Sequence, residues 1–149
     1  HAVLNGKVGP AFDGVGEFTF SPDSQLLAYL ANLHRKLSVV RNGEPGPTYD
    51  IIRRLAFSPD SRRLGYLATS GDFEFAVIGE QPEQPYEKVN NLIWDPGTGG
   101  YAYEAISGAR KRVVHNGKEG PAYEEVTSLT FAPQGGRLAY RAYADKLSY

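Results

Sequence analysis

Apolar residues come in short runs along this chain, and turn-forming residues punctuate them. Around its middle, Leu55-Ala56-Phe57 and Leu64-Gly65-Tyr66-Leu67-Ala68 flank Ser58-Pro59-Asp60-Ser61-Arg62-Arg63. Short runs rich in β-branched and aromatic residues, bounded by Pro and Gly, predict strands. Pro59 presets φ and Asp60 bonds the backbone ahead of it, which predicts a tight turn. Asn5-Gly6, Asn42-Gly43 and Asn116-Gly117 predict a second kind of turn, because both residues tolerate positive φ. No segment carries an apolar period of 3.6 residues, so helical architectures are excluded. Each unit then reads as four strands, placed in the second unit at 53–58, 63–69, 73–78 and 86–89.

The pattern recurs every 37 residues without a gap. Stepping by 37 from Tyr29 meets Tyr66, Tyr103 and Tyr140. The same step joins Val3, Val40, Val77 and Val114, and also Pro22, Pro59, Pro96 and Pro133. Phe20, Phe57, Trp94 and Phe131 keep an aromatic; Phe12, Tyr49, Tyr86 and Tyr123 keep another. An acid follows the latter column, as Asp13, Asp50, Glu87 and Glu124. A fixed period of this size signifies stacked units or propeller blades, and four antiparallel strands per period favour the blade.

The run Phe57-Ser58-Pro59-Asp60-Ser61 to Leu64-Gly65-Tyr66, with its counterpart Phe20 to Tyr29, resembles the WD40-like, TolB-type β-propeller repeat. The third unit departs from it, with Trp94-Asp95-Pro96-Gly97 and with Gly79-Glu80 in place of Asn-Gly. The resemblance implies an all-β propeller of four 37-residue blades, in a family whose rings have six to eight blades and whose members mostly serve as binding platforms. One domain spans 1–149, with blades at about 15–52, 53–89, 90–125 and 126–149 plus 1–14. The fourth has two strands and the start of a third at 146–149, so an N-terminal segment must complete it. The donor is either the same chain, giving a self-closed four-bladed ring, or a second chain; strand exchange between two chains, giving a closed eight-bladed homodimer, is the expected assembly.

Composition narrows the chemistry. Net charge is -1, which disfavours a nucleic-acid partner. Cysteine is absent, so disulfides and thiol catalysis are out. No apolar run is long enough for a membrane helix, and no signal-peptide pattern opens the chain. Absence of an initiating Met suggests a processed, trimmed or engineered chain. The compartment is left open, an extracytoplasmic one being compatible with the family resemblance. No cofactor and no metal are expected.

Candidate residues follow from irregularity within the repeat. Glu17, Arg54, Asn91 and Ser128 share one position on the first strand of each unit yet differ in chemistry, and packing does not dictate such a position. With His34, Arg35, Arg110, Lys111 and Arg112, placed in equivalent loops, they define the expected binding face at a central channel, open to a protein or small polar ligand. The acids in register are expected to be structural. The expected function is a non-enzymatic binding or scaffold module that self-assembles. The rivals are an enzyme using Glu17, Arg54 or His34 at the channel mouth, and an engineered or truncated assembly unit.

Overall fold

The structure, a computed structural model, describes residues 1–144; the strand expected at 146–149 lies outside the described residues. It is all-β, with three four-stranded antiparallel sheets and a two-stranded piece at each end. The first piece is a hairpin of β1 (Val3–Leu4) and β2 (Lys7–Val8). The first full sheet follows as β3 (Gly14–Phe20), β4 (Leu27–Leu33), β5 (Lys36–Arg41) and β6 (Glu44–Tyr49). The second holds β7 (Ile51–Phe57), β8 (Leu64–Ser70), β9 (Phe73–Ile78) and β10 (Gln81–Pro82). The third holds β11 (Lys88–Trp94), β12 (Tyr101–Ser107), β13 (Arg110–His115) and β14 (Lys118–Glu119). The last piece pairs β15 (Glu125–Phe131) with β16 (Leu138–Tyr143). In every sheet the strands pair in chain order, and the described residues form no closed sheet.

Register repeats with the sequence. Tyr29 faces Val40, Tyr66 faces Val77 and Tyr103 faces Val114 across the second and third strands. Asn5-Gly6, Asn42-Gly43 and Asn116-Gly117 all adopt positive φ at both residues, as a two-residue hairpin requires. Gly79 and Glu80 do the same, at 58° and 71°, so the third unit keeps the turn although its residues differ. The other departure is a rearrangement of partners. In the first two units a serine donates to the aspartate of Ser-Pro-Asp, Ser21 to Asp23 at 2.6 Å and Ser58 to Asp60 at 2.5 Å. In the third unit the acid takes the serine position: Asp95 accepts from Thr98 Oγ1 at 2.6 Å and from the Gly97 N–H at 2.9 Å. It also accepts the Gly136 N–H at 2.9 Å, tying this turn to the next unit's.

The fourth strand corrects the expectation of 86–89. Pairing resumes directly after the Gly79-Glu80 turn, at β10, and Tyr86 adds only an isolated bridge to Glu74. Residues from Lys88 onward already belong to the next sheet. The short turn leaves no room for a delay, and prolines at 82 and 85 remove donors and break off the ladder. At the N-terminus the outer strand likewise follows its turn directly, at Lys7–Val8.

The core lies between sheets. Ala28, Leu30 and Val39 of the first meet Ile52, Phe57, Leu64 and Tyr66 of the second. Leu67, Ala76 and Ile78 of the second meet Tyr101, Tyr103 and Val114 of the third. Arg63 links the same pair of sheets: its guanidinium lies 5.7 Å from the Trp94 ring and 5.6 Å from that of Tyr101, and it donates to the Gly99 carbonyl. It is a packing residue rather than a charged loop tip. The ends differ. Val40, Val77 and Val114 are 0%, 1% and 2% exposed, whereas Val3 in the same column is 60% exposed. Phe57 is 7% exposed and Phe20 is 55%. The N-terminal segment packs Ala2 against Tyr29 of β4 and Val40 of β5, the two inner strands of the first sheet, and leaves Phe18 and Phe20 of β3 exposed.

Candidate binding face

Glu17, Arg54, Asn91 and Ser128 share a backbone feature invisible in the repeat. Each sits in a register shift of the first strand, between Gly16 and Thr19, Arg53 and Ala56, Asn90 and Ile93, and Thr127 and Thr130. Each has positive φ, of 51°, 62°, 54° and 59°. At such a bulge two residues oppose one, and the inward–outward alternation is broken. All four side chains are therefore exposed, which frees their chemistry to vary. A left-handed conformation costs a non-glycine residue roughly 1 kcal/mol, yet none of the four is glycine. Arg54 Nη2 donates to Asn91 Oδ1 at 3.5 Å. Glu17 and Ser128 have no side-chain hydrogen bond among the described residues.

The neighbouring Arg53 is held quite differently. Its Nη2 donates to Glu74 Oε1 at 2.8 Å and to the Val89 carbonyl, joining the second sheet to the third. The Val89 N–H also reaches Glu74 Oε1, at 3.1 Å. The arginine pair thus separates into a structural member and an exposed one.

The basic residues do not gather as expected. His34 and Arg35 do form the turn between β4 and β5, with φ of 51° and 68°. Arg110, Lys111 and Arg112 are not in the equivalent loop but on β13, because Gly108 and Ala109 suffice for the reversal and Arg110 already pairs with Ser107. Lys111 forms an ion pair with Glu125, and Arg112 Nη1 donates to the Gly120 carbonyl at 3.1 Å. Among the described residues, the hydrogen bonds and ion pairs of His34, Arg35, Lys111 and Arg112 go to Asp13, Asn32, Glu125 and Gly120 rather than to the bulge column.

Two members of the acid column, Asp13 and Asp50, close turns. Asp13 Oδ2 accepts the His34 N–H at 2.9 Å, and Asp50 Oδ2 accepts the Gly71 N–H at 2.8 Å; both partners lie 21 residues on. A hydrogen bond from Lys36, then one from Gly71, holds the Asp50 carboxyl below its ordinary range. No group of His, Asp and Glu able to hold a metal ion occurs among the described residues.

One residue was missed in the sequence. Glu104 is buried on β12 where Leu30 and Leu67 stand in the preceding units. Its Oε1 has no hydrogen-bond partner, and neither has Trp94 Nε1. The break in a leucine column was the available signal. Comparison with protein-family models and with curated proteins finds no match.

Proposed function

We propose that the chain is a β-propeller of the WD40-like, TolB-type kind that acts as a non-enzymatic binding module, assembled from two copies by strand exchange into an eight-bladed ring. The observation that carries this is the valine column: three members are buried by the unit beside them and Val3, identical in type and position, is left in solvent. An uncovered face of this kind marks an interaction surface. The cover that suits it is already present in the chain, since the internal sheets bury the same column with their own repeat. The edges of β16 and β1, which pair with no further strand among the described residues, complement one another in the same way. By the internal register, Ala139 would face Leu4 of a second copy, as Ala28 faces Arg41 and Ala102 faces His115. In the closed ring the bulge residues Glu17, Arg54, Asn91 and Ser128 would face the channel and meet the ligand, with packing provided elsewhere.

Because the chain has no cysteine, an engineered disulfide reports this register cleanly. Opposed antiparallel residues have suitable Cα spacing for one. Leu4→Cys with Ala139→Cys should give a covalent dimer on mild oxidation, while each single variant does not. An internal disulfide at the mass of one chain would contradict exchange and favour a self-closed ring. Failure to cross-link would contradict the pairing itself.

A further inference from the structure

Counting from the N-terminal hairpin, the first three junctions between neighbouring units have the same buried tyrosine on their floor, Tyr29, Tyr66 and Tyr103 in turn. Beside Tyr103 the cleft is filled from within. The Tyr103 hydroxyl donates to Glu83 Oε1 at 2.8 Å, and the Tyr101 hydroxyl donates to Glu83 Oε2. Glu83 is thus an internal carboxylate ligand for two phenol donors. Its counterparts at the two earlier junctions are Gly9 and Gly46. A Cβ built on Gly9 would lie 3.6 Å from the Tyr29 hydroxyl, so the column points at the tyrosine there too. With glycine in place, both clefts are cavities, of about 490 Å³ at the first junction and about 620 Å³ at the second.

The two cavities differ in what they offer. The second carries Glu44 and Glu80 as well as Arg41 on its walls, and Arg41 is paired with Glu80 at 3.6 Å. Its Tyr66 lies against Tyr49, ring centroids 6.1 Å apart. The first is walled by Ala2, Leu4, Val8 and Leu27, and among the described residues Lys7 is the one charged residue lining it. Phe12 takes the place of Tyr49 and offers no hydroxyl. The Tyr29 hydroxyl has no hydrogen-bond partner among the described residues.

We propose that the first cleft binds a small monocarboxylate with an apolar body, its carboxylate seated where Glu83 places its own two junctions along. Tyr29 donates its phenol hydrogen to the carboxylate and Lys7 supplies the counter-charge, while the aliphatic walls take the body. This site is separate from the channel face, and it lies between β1–β2 and the first sheet of one copy.

Titration of the 149-residue protein with hexanoate, and with hexanol as its uncharged counterpart, tests the assignment by NMR shift changes. Hexanoate should bind saturably at the first junction and at least about tenfold more tightly than hexanol, as expected for a hydrogen bond to a charged group. Tyr29→Phe should weaken hexanoate by a similar factor and leave hexanol unchanged. Gly9→Glu should remove hexanoate binding by supplying the carboxylate internally, with Tyr29→Phe as the independent arm if that variant does not fold. Equal binding of the two probes, hexanoate affinity unaltered in Tyr29→Phe, shifts mapping elsewhere, or no saturable binding would each overturn the proposal.

Discussion

The middle of the molecule and its two ends are built from the same residues and have opposite fates. Val77 and Val3 occupy one column, as do Phe57 and Phe20, yet in each pair the first is buried and the second exposed. Nothing in the local sequence distinguishes them. Burial is conferred by the adjoining unit, as expected where each repeat contacts only its neighbours. The first units therefore expose apolar residues, Val3 and Phe20, of the kind that the interior units bury.

The comparison is broken most forcefully by placing a charge at each position. Val77→Asp buries an unpaired carboxylate and should cost about 4 kcal/mol or more, enough to unfold the chain. Val3→Asp should leave the fold within about 1 kcal/mol of the parent, because the side chain is already in water, and should abolish association. Urea melts at low concentration check both. A folded Val77→Asp variant would show that the two positions are not as different as their burial.

Glu104 sharpens the comparison from inside. It occupies a leucine column without a partner for Oε1, and an unsatisfied buried polar atom costs about 1–3 kcal/mol. Glu104→Leu should raise stability by about that amount in the same melts. A loss would mean that the third junction cannot accept the residue its neighbours use.

The bulge column gives a smaller effect. Arg54→Gly should be about 1–2 kcal/mol more stable than Arg54→Val, since a β-branched residue suffers most at a φ of 62°. Equal stabilities would argue against the bulge at this position.

The smallest effect is acidic. Hydrogen bonds from Ser58, then from the Arg62 N–H, hold the Asp60 carboxyl below its ordinary value. A depressed folded value contributes stability above the unfolded carboxyl value, about pH 4, and that stability is lost as pH falls through the folded value. The gap in melting temperature between the parent and Asp60→Asn should be present at pH 7 and shrink toward pH 3. A gap independent of pH would place the contribution of Asp60 outside its charge.

Much of the sheet architecture was legible because the 37-residue step fixes which residues share a column, and Asn-Gly and Pro-Asp fix the reversals. The fourth strand was not, because two residues broken by proline leave almost no apolar pattern. The candidate column was legible as irregular, but not as a bulge: an extra residue present in every unit adds no gap to the repeat. The basic triplet at 110–112 has the charge of a loop but lies on a strand, because the reversal is made at Gly108 and pairing resumes at Arg110. The Tyr29 cleft depended on which face Gly9 presents, which no spacing reveals.

Solution mass tests the strand-exchange account most directly. Light scattering on the purified chain, well above any plausible dissociation constant, should return about twice the 16.3 kDa of one chain, and the single-chain mass when residues 1–14 are removed. A mass of one chain at all concentrations for the intact protein would contradict it.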